Sequence, residues 1–340
     1  MSDDRLILVA TTPRLPAGLL SAAGWDALRA GPVFTVDPVG DQALAVTAAG
    51  IRVVGLSTVD TRAAAFDFRR QARDGGVAVW LAGPDGDPEF ARAVGDLVAR
   101  AGGAELEVVY GSWDPPGARL LDVVAVMDRL RSPGGCPWDA EQTHRSLMPY
   151  LLEETYEAYE ALEHDDLEAL REELGDVLLQ VAFHARLAEE REEDERWSID
   201  DVAGHLVDKL VRRHPHVFAD AAVASAEEVH DRWDEIKREE KRRDSVTDGV
   251  PMGQPALTLA ATLQRKAARL DLPALPAADG LGGRLWSLVA DARAAGLDPE
   301  AELRAVARTY RDTLADAERA ARAAGHDPAT LAPADWQKYL

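Results

Sequence analysis

Residues 151–184 read LLEETYEAYEALEHDDLEALREELGDVLLQVAFH. Two acidic runs stand out in it. Glu153, Glu154 and Glu157 form the first, and Glu172, Glu173 and Asp176 the second. Both contain an acid-x-x-acid pair, and residues three apart share a helix face. His164-Asp165-Asp166 breaks the pattern between them. The segment therefore predicts two antiparallel helices joined by a short turn, with the acid pairs brought face to face. Carboxylates that converge repel one another unless a cation joins them. An all-oxygen ligand set suits a hard ion such as Mg²⁺, which keeps positions open for water and substrate phosphates. The stretch thus points to phosphate chemistry.

On a helical wheel Glu173, Asp176, Gln180 and His184 fall in one stripe of about 80°. Val177 to Phe183 are apolar on the other sides, which predicts a buried helix. A polar stripe on such a helix needs polar partners, because an unpaired buried charge is costly. The alternative, a solvated acidic face, suits Glu189 to Glu195, a run with no apolar stripe.

The chain has 340 residues, enough for two or three domains, and 46% are hydrophobic. Its 38 Lys+Arg against 60 Asp+Glu give a net charge of −22. That excess argues against nonspecific nucleic-acid or anionic-membrane binding. A nucleotide ligand stays open, since local basic residues and Mg²⁺ can reverse the field in a cleft. The single cysteine, Cys136, excludes an intrachain disulfide and fits a reducing compartment. No run approaches the ~18 apolar residues of a membrane span, and the start Met-Ser-Asp-Asp lacks a leader-like pattern. A cytoplasmic protein is expected.

The texture divides the chain in three. Residues 1–117 read as a small α/β domain, with strands over Arg5–Ala10, Val77–Ala82 and Glu105–Tyr110 and a helix over Glu89–Ala101. Residues 118–246 read as helices: Leu120–Arg131, Gln142–Glu163, Asp166–Glu192, a fourth opened by Ser198-Ile-Asp-Asp201 and closed near His214-Pro215, and a fifth from Ser225 to about Arg243. Residues 247–340 begin with a Gly/Pro-rich linker and are helical from 256. The whole is mainly α. A weak repeat aligns GDVLLQVAFHAR (175–186) with GGRLWSLVADAR (282–293); chance likeness of two Ala/Leu-rich helices is the alternative.

Cys-Pro-Trp-Asp (136–139), Glu153-Glu154-x-x-Glu157, Glu173-Leu-Gly-Asp176 and Lys209-Leu-Val-Arg-Arg-His-Pro-His-Val-Phe218 occur in this order. Together they resemble the MazG family of nucleoside triphosphate pyrophosphohydrolases over about 119–245, and Trp233-x-x-x-Lys237 fits downstream. The resemblance implies an all-α bundle that uses Mg²⁺, with Mn²⁺ a possible substitute. It implies cleavage of a (d)NTP to the monophosphate and diphosphate, a homodimer or higher oligomer, and a task in nucleotide-pool sanitation. It assigns metal binding to Glu154, Glu157, Glu173 and Asp176, and leaves Glu153 to orient water or a second ion. Lys209 and Arg213 would hold the phosphates; Trp233 and Lys237 would meet base and phosphate, and Gln180 joins the substrate-binding residues. Core packing is the other reading of Trp233. His214 and His216 are read as ending their helix, and Cys136 as a small packed residue.

Two other functions compete: a Mg–NTP-binding regulatory or interaction protein without turnover, and a base-specific dUTP or dCTP pyrophosphatase. A di-iron bundle would need Glu-x-x-His motifs, and acids stand at those +3 positions instead. The C-terminal segment resembles a degenerate second MazG-like unit. Gly280 and Gly283 stand where the repeat would place Glu173 and Asp176, and Thr309 where a looser alignment would place Lys209. The first 117 residues faintly resemble a tetrapyrrole methylase domain. They are too short for one and lack its glycine-rich loop, so methyl transfer is not inferred.

Overall fold

The computed structural model describes residues 4–219, 245–270 and 279–340. It divides into two compact units, Met1–Asp208 and Lys209–Leu340.

The first unit opens with a five-stranded, all-parallel sheet of order β3-β2-β4-β1-β5. Its strands are β1 (Asp4–Ala10), β2 (Val33–Thr35), β3 (Val53–Gly55), β4 (Val77–Leu81) and β5 (Ala104–Tyr110). Helices α1 (Ala22–Arg29) and α2 (Asp41–Ala48) cover one face, α3 (Thr61–Gly75) and α4 (Pro88–Ala101) the other. The period-two alternation of a strand explains this layering. Leu6 and Leu8 of β1 pack with Phe68 of α3 and Phe90 of α4. Ile7 and Val9 pack with Leu28 of α1 and Val46 of α2. A strand covered on both faces reads as a continuous apolar run, which is how β1 and β4 announce themselves. The expected strands and the helix ending at Ala101 are present; β2 and β3 add two strands that the sequence reading did not contain.

After β5 the chain becomes helical: α5 (Arg119–Arg131), α6 (Pro137–Glu141), α7 (Met148–Glu163) and α8 (Leu167–Ala188). Arg14, in the loop after β1, donates from Nε and Nη2 to the two carboxylate oxygens of Asp122 at 2.9 and 2.6 Å. This two-pronged bond fastens the first turn of α5 to the sheet. Hydrogen bonds from Arg14 and Arg119 hold the Asp122 carboxyl below its ordinary range.

Three expectations need correction here. Helix α7 starts at Met148, not Gln142. Thr143 and Ser146 close a separate turn, each backbone N–H donating to the other's hydroxyl at 2.9 and 3.1 Å. Pro149 then occupies the first helical turn, where its missing N–H costs nothing. Helix α8 stops at Ala188, short of Glu192. Continuing it would stack more acids on the negative end of the helix dipole; instead Glu190 turns back to Arg131 and Arg186 at 2.8 and 3.0 Å. Nor is α8 covered all round. Ala182, Phe183 and Leu187 pack against Met127 of α5 and Leu147, but Leu174 and Leu179 are 53% and 38% exposed.

Helix α9 (Ile199–Arg213) begins as the sequence predicted. Ser198 Oγ accepts from Asp200 N at 3.2 Å, and Asp201 accepts from Ser198 N at 2.7 Å. The boundary between the compact units falls within this helix. The fifth helix expected over Ser225–Arg243, with Trp233 and Lys237, lies outside the described residues.

In the second unit follow α10 (Pro215–Phe218), α11 (Ala256–Ala267), α12 (Leu281–Ala294), α13 (Pro299–Ala323) and α14 (Pro333–Trp336). Helices α11, α12 and α13 pack on one another. Buried Gln264 of α11 donates to the Trp286 carbonyl at 2.9 Å and accepts from Arg293 at 3.2 Å, so its amide is paired. Asp298 caps α13, its carboxylate accepting from the backbone N–H groups of Glu300 and Ala301. Among the described residues no helix is long and apolar enough to cross a membrane.

Candidate active site

The acids come from one helical hairpin. Asp165 turns the chain in a left-handed conformation at φ 54°. Asp166 then caps α8, its carboxylate accepting from the backbone N–H groups of Glu168 and Ala169 at 3.1 and 3.0 Å. This tight reversal lays α7 antiparallel to α8. One carboxylate oxygen each of Glu154, Glu157 and Glu173 then lie within 4.8 Å of one another.

The crowding shows in their titration. Burial, and then the charges of Asp176, Glu157, Glu153 and Glu173, push the Glu154 carboxyl above its ordinary value. Burial, then Glu157, Glu172 and Asp176, and a hydrogen bond to Glu157 push Glu173 up as well. Like charges that disfavour ionisation are what a divalent cation relieves. The donor set is carboxylate oxygen alone, which fits Mg²⁺ or Mn²⁺. Asp176 is outside the three-oxygen group, yet it is the largest charge acting on Glu154. Glu153 is exposed at the edge of the cluster.

Beyond the acids on the same stripe of α8, Gln180 is 4% exposed, and its Oε1 has no hydrogen-bond partner among the described residues. One further turn along, His184 meets His144, the two Nδ1 atoms 2.8 Å apart. The sequence reading placed His184 in the polar stripe and missed His144. His144 lies outside any helix, in the chain leading into α7, and only the antiparallel register sets it against His184. Trp138 packs edge-on against Tyr150 of α7 and Phe183 of α8, with ring centres 6.1 and 6.5 Å apart, tying the 132–139 loop to the hairpin. Cys136 is a half-buried free thiol before α6. Lys209 and Arg213, both half-buried, stand one turn apart at the end of α9. His214 Nδ1 lies 2.7 Å from the Leu210 carbonyl, so this histidine closes the helix as expected.

Residues 142–218 match the MazG nucleotide pyrophosphohydrolase domain. An uncharacterised 26.1 kDa protein of Streptomyces cacaoi is 50% identical over 243 residues, which cover 70% of this chain and 99% of that protein. The nucleoside triphosphate pyrophosphohydrolase/pyrophosphatase MazG of Thermotoga maritima is 37% identical over 219 residues, 57% of this chain and 83% of the relative. The chain belongs to the MazG family. A nucleoside triphosphate pyrophosphohydrolase of Mycolicibacterium smegmatis is 46% identical over 213 residues, and the match spans 62% of its length. The MazG match takes in α7, α8 and α9, hence every acid of the cluster, and leaves the sheet and α11 to α14 outside.

Proposed function

We propose that this MazG chain hydrolyses nucleoside triphosphates to monophosphate and diphosphate, with Mg²⁺ held by Glu154, Glu157, Glu173 and Asp176. The observation that carries the proposal is the convergence of three carboxylates from two helices within 4.8 Å, inside the family match. When bound, such an ion offsets the charge of the triphosphate and strengthens water as a nucleophile. Glu153, at the exposed edge of the cluster, orients the attacking water or a second ion. Lys209 and Arg213 neutralise the phosphate tail, and Trp233 and Lys237 complete the substrate contacts. A chain of this kind serves nucleotide-pool sanitation.

The catalytic part is the helical stretch 118–246, with 1–117 and 247–340 as accessory domains. The chain acts as a homodimer or higher homo-oligomer; exposed apolar residues on α7 (Leu152, Tyr156, Leu162) and α9 (Leu206, Val207, Leu210) support an assembled state. The test is release of diphosphate from natural and oxidised (d)NTPs with and without Mg²⁺, with ¹⁸O-water to place the label. Orthophosphate and a nucleoside diphosphate as products would contradict the proposal. Binding of Mg–NTP without turnover would favour the regulatory alternative.

A further inference from the structure

Strands β1 and β4 are neighbours, yet the chain leaves β1 for α1 on one face of the sheet and leaves β4 for α4 on the other. Loops that part in this way open a crevice at the carboxyl ends of the strands, where open parallel sheets take their ligands. A cavity of about 470 Å³ lies there, outside the MazG match. Its walls are the loops after β1 (residues 11–17) and β4 (81–84), the end of β2 and the start of α2. That size suits a small molecule.

The walls are fastened before any ligand arrives. Thr12, 5% exposed, donates from its hydroxyl to Asp114 and from its backbone N–H to Ser112 Oγ at 3.0 Å. Gly18 N donates to the Gln42 side-chain carbonyl at 2.8 Å, which ties the β1 loop to α2. Arg14, the one cation that lines the cavity among the described residues, is taken up by Asp114 and Asp122. Asp37 and Asp41, both lining and both exposed, form no ion pair among the described residues. The Asp37 carboxylate folds back at the rim: Oδ1 accepts from Val39 N at 3.1 Å, and a β-carbon on Gly40 would stand 2.8 Å from Oδ2. Thr35, 3% exposed, lines the floor and its hydroxyl makes no hydrogen bond among the described residues.

We propose that this crevice is a second binding site, distinct from the acid hairpin, for a ribonucleoside without phosphates. An acid in the loop after the second strand of such a sheet is placed to accept from ribose hydroxyls, and Asp37 holds that position. Its carboxylate accepts the two hydroxyls of the ribose as charge-assisted hydrogen bonds. Ala43, Leu81, Ala82 and Pro84 give the base an apolar wall, and the Thr35 hydroxyl donates or accepts at its edge. Phosphates are turned away. Two acids without a cation face them, and the guanidinium of Arg14 is already committed.

Titration calorimetry of the full chain in EDTA tests this, with adenosine, guanosine, cytidine and uridine as probes. At least one is expected to bind with a Kd of about 1 mM or tighter. Its 2′-deoxy form and its 5′-triphosphate are each expected to bind at least about tenfold more weakly, the scale of one hydrogen bond to a charged group. Asp37→Asn is expected to weaken the ribonucleoside about tenfold and to shrink its advantage over the deoxy form. Thr35→Val, which removes the hydroxyl with little change of shape, is expected to weaken binding and keep that advantage; thermal melts check that both variants fold. No binding of any probe up to about 10 mM, a triphosphate bound as tightly as its nucleoside, or a folded Asp37→Asn with wild-type affinity would overturn the proposal. So would putrescine bound more tightly than every nucleoside, since the acids would then take a cation and not a diol. Binding lost in Glu173→Gln and kept in Asp37→Asn would place the nucleoside on the hairpin and overturn it as well. No arm depends on turnover, so the pyrophosphohydrolase reading stands or falls separately.

Discussion

Helices α8 and α12 align without a gap at an offset of 107 residues, and the two make different use of the same frame. Two packing positions agree. Ala182 of α8 and the aligned Val289 of α12 are both buried. Arg186 reaches Asp128 of α5 at 2.8 Å, and the aligned Arg293 reaches Gln264 of α11 at 3.2 Å. The chemical positions do not agree. Glu173, Asp176, Gln180 and His184 become Gly280, Gly283, Ser287 and Asp291. Glu173 lies well inside α8, whereas Gly280, at φ 89°, stands just before α12 begins. The lesson is that a helix sharing a buried apolar step and a packing arginine with α8 need not carry its acids: Gly280 and Gly283 have no side chain to bind a cation.

Glu173→Gln or Asp176→Asn should break the contrast most sharply. Either is expected to cut turnover about a thousandfold, because a neutral amide forfeits much of a metal's several kcal/mol of charge stabilisation. Steady-state kinetics with far-UV circular dichroism would check this; near-native turnover would remove the acids from the site. The reverse change, Gly283→Asp in α12, places an unpaired carboxylate at a buried position. It should destabilise the chain by about 2 kcal/mol in denaturant unfolding and gain no metal affinity. A gain in Mn²⁺ binding would show that α12 still presents a metal site.

The pH dependence follows from the raised carboxyls of Glu154 and Glu173. A raised pKa means that the folded chain holds protons the unfolded chain has released. Their contribution is therefore fully present below the ordinary glutamate range and is lost as the pH rises through the raised values. Thermal melts without metal should show stability falling with rising pH over that interval. Mg²⁺ should flatten the slope, and Glu173→Gln should weaken it and raise the metal-free Tm. A metal-free slope of opposite sign would contradict the crowding. The smallest expected effect is at the turn: Asp166→Ala should cost about 1 kcal/mol through loss of the helix cap. Asp298→Ala, which removes the same bonds from α13, should cost about as much, and unequal losses would show that the hairpin turn has a further task.

The acid cluster was legible because acid-x-x-acid spacing on two helices joined by a break carries its own geometry. Strands β1 and β4 were legible as the apolar runs Leu6 to Ala10 and Val77 to Leu81, and β5 as a stretch in which Glu105 and Glu107 alternate with apolar residues. Strands β2 and β3, three residues each, are too short to hold a period. Their places are set by α2 and α3 packing on the sheet, which is tertiary information. Pro149 was a visible signal for the start of α7 that the apolar pattern obscured. The open sides of α8 had no such signal, since a Leu that faces solvent in one chain reads like one in a core. His144 owes its place to the register across a turn twenty residues away, which no local pattern contains.

The turn at Asp165 also bears on the order in which this chain acquires its structure. The acids from Glu154 to Asp176 are brought together by a reversal of a few residues, whereas the sheet must join Asp4 to Ala104 and Ala10 to Tyr110. Short-range closure is fast, and parallel pairing across such separations is slow. The hairpin is therefore expected to fold ahead of the sheet, leaving four negative charges gathered on a chain that is still largely open. A divalent cation arriving at that stage would act on the folding barrier as well as on the finished enzyme, and refolding in Mg²⁺ should be faster than refolding in its absence.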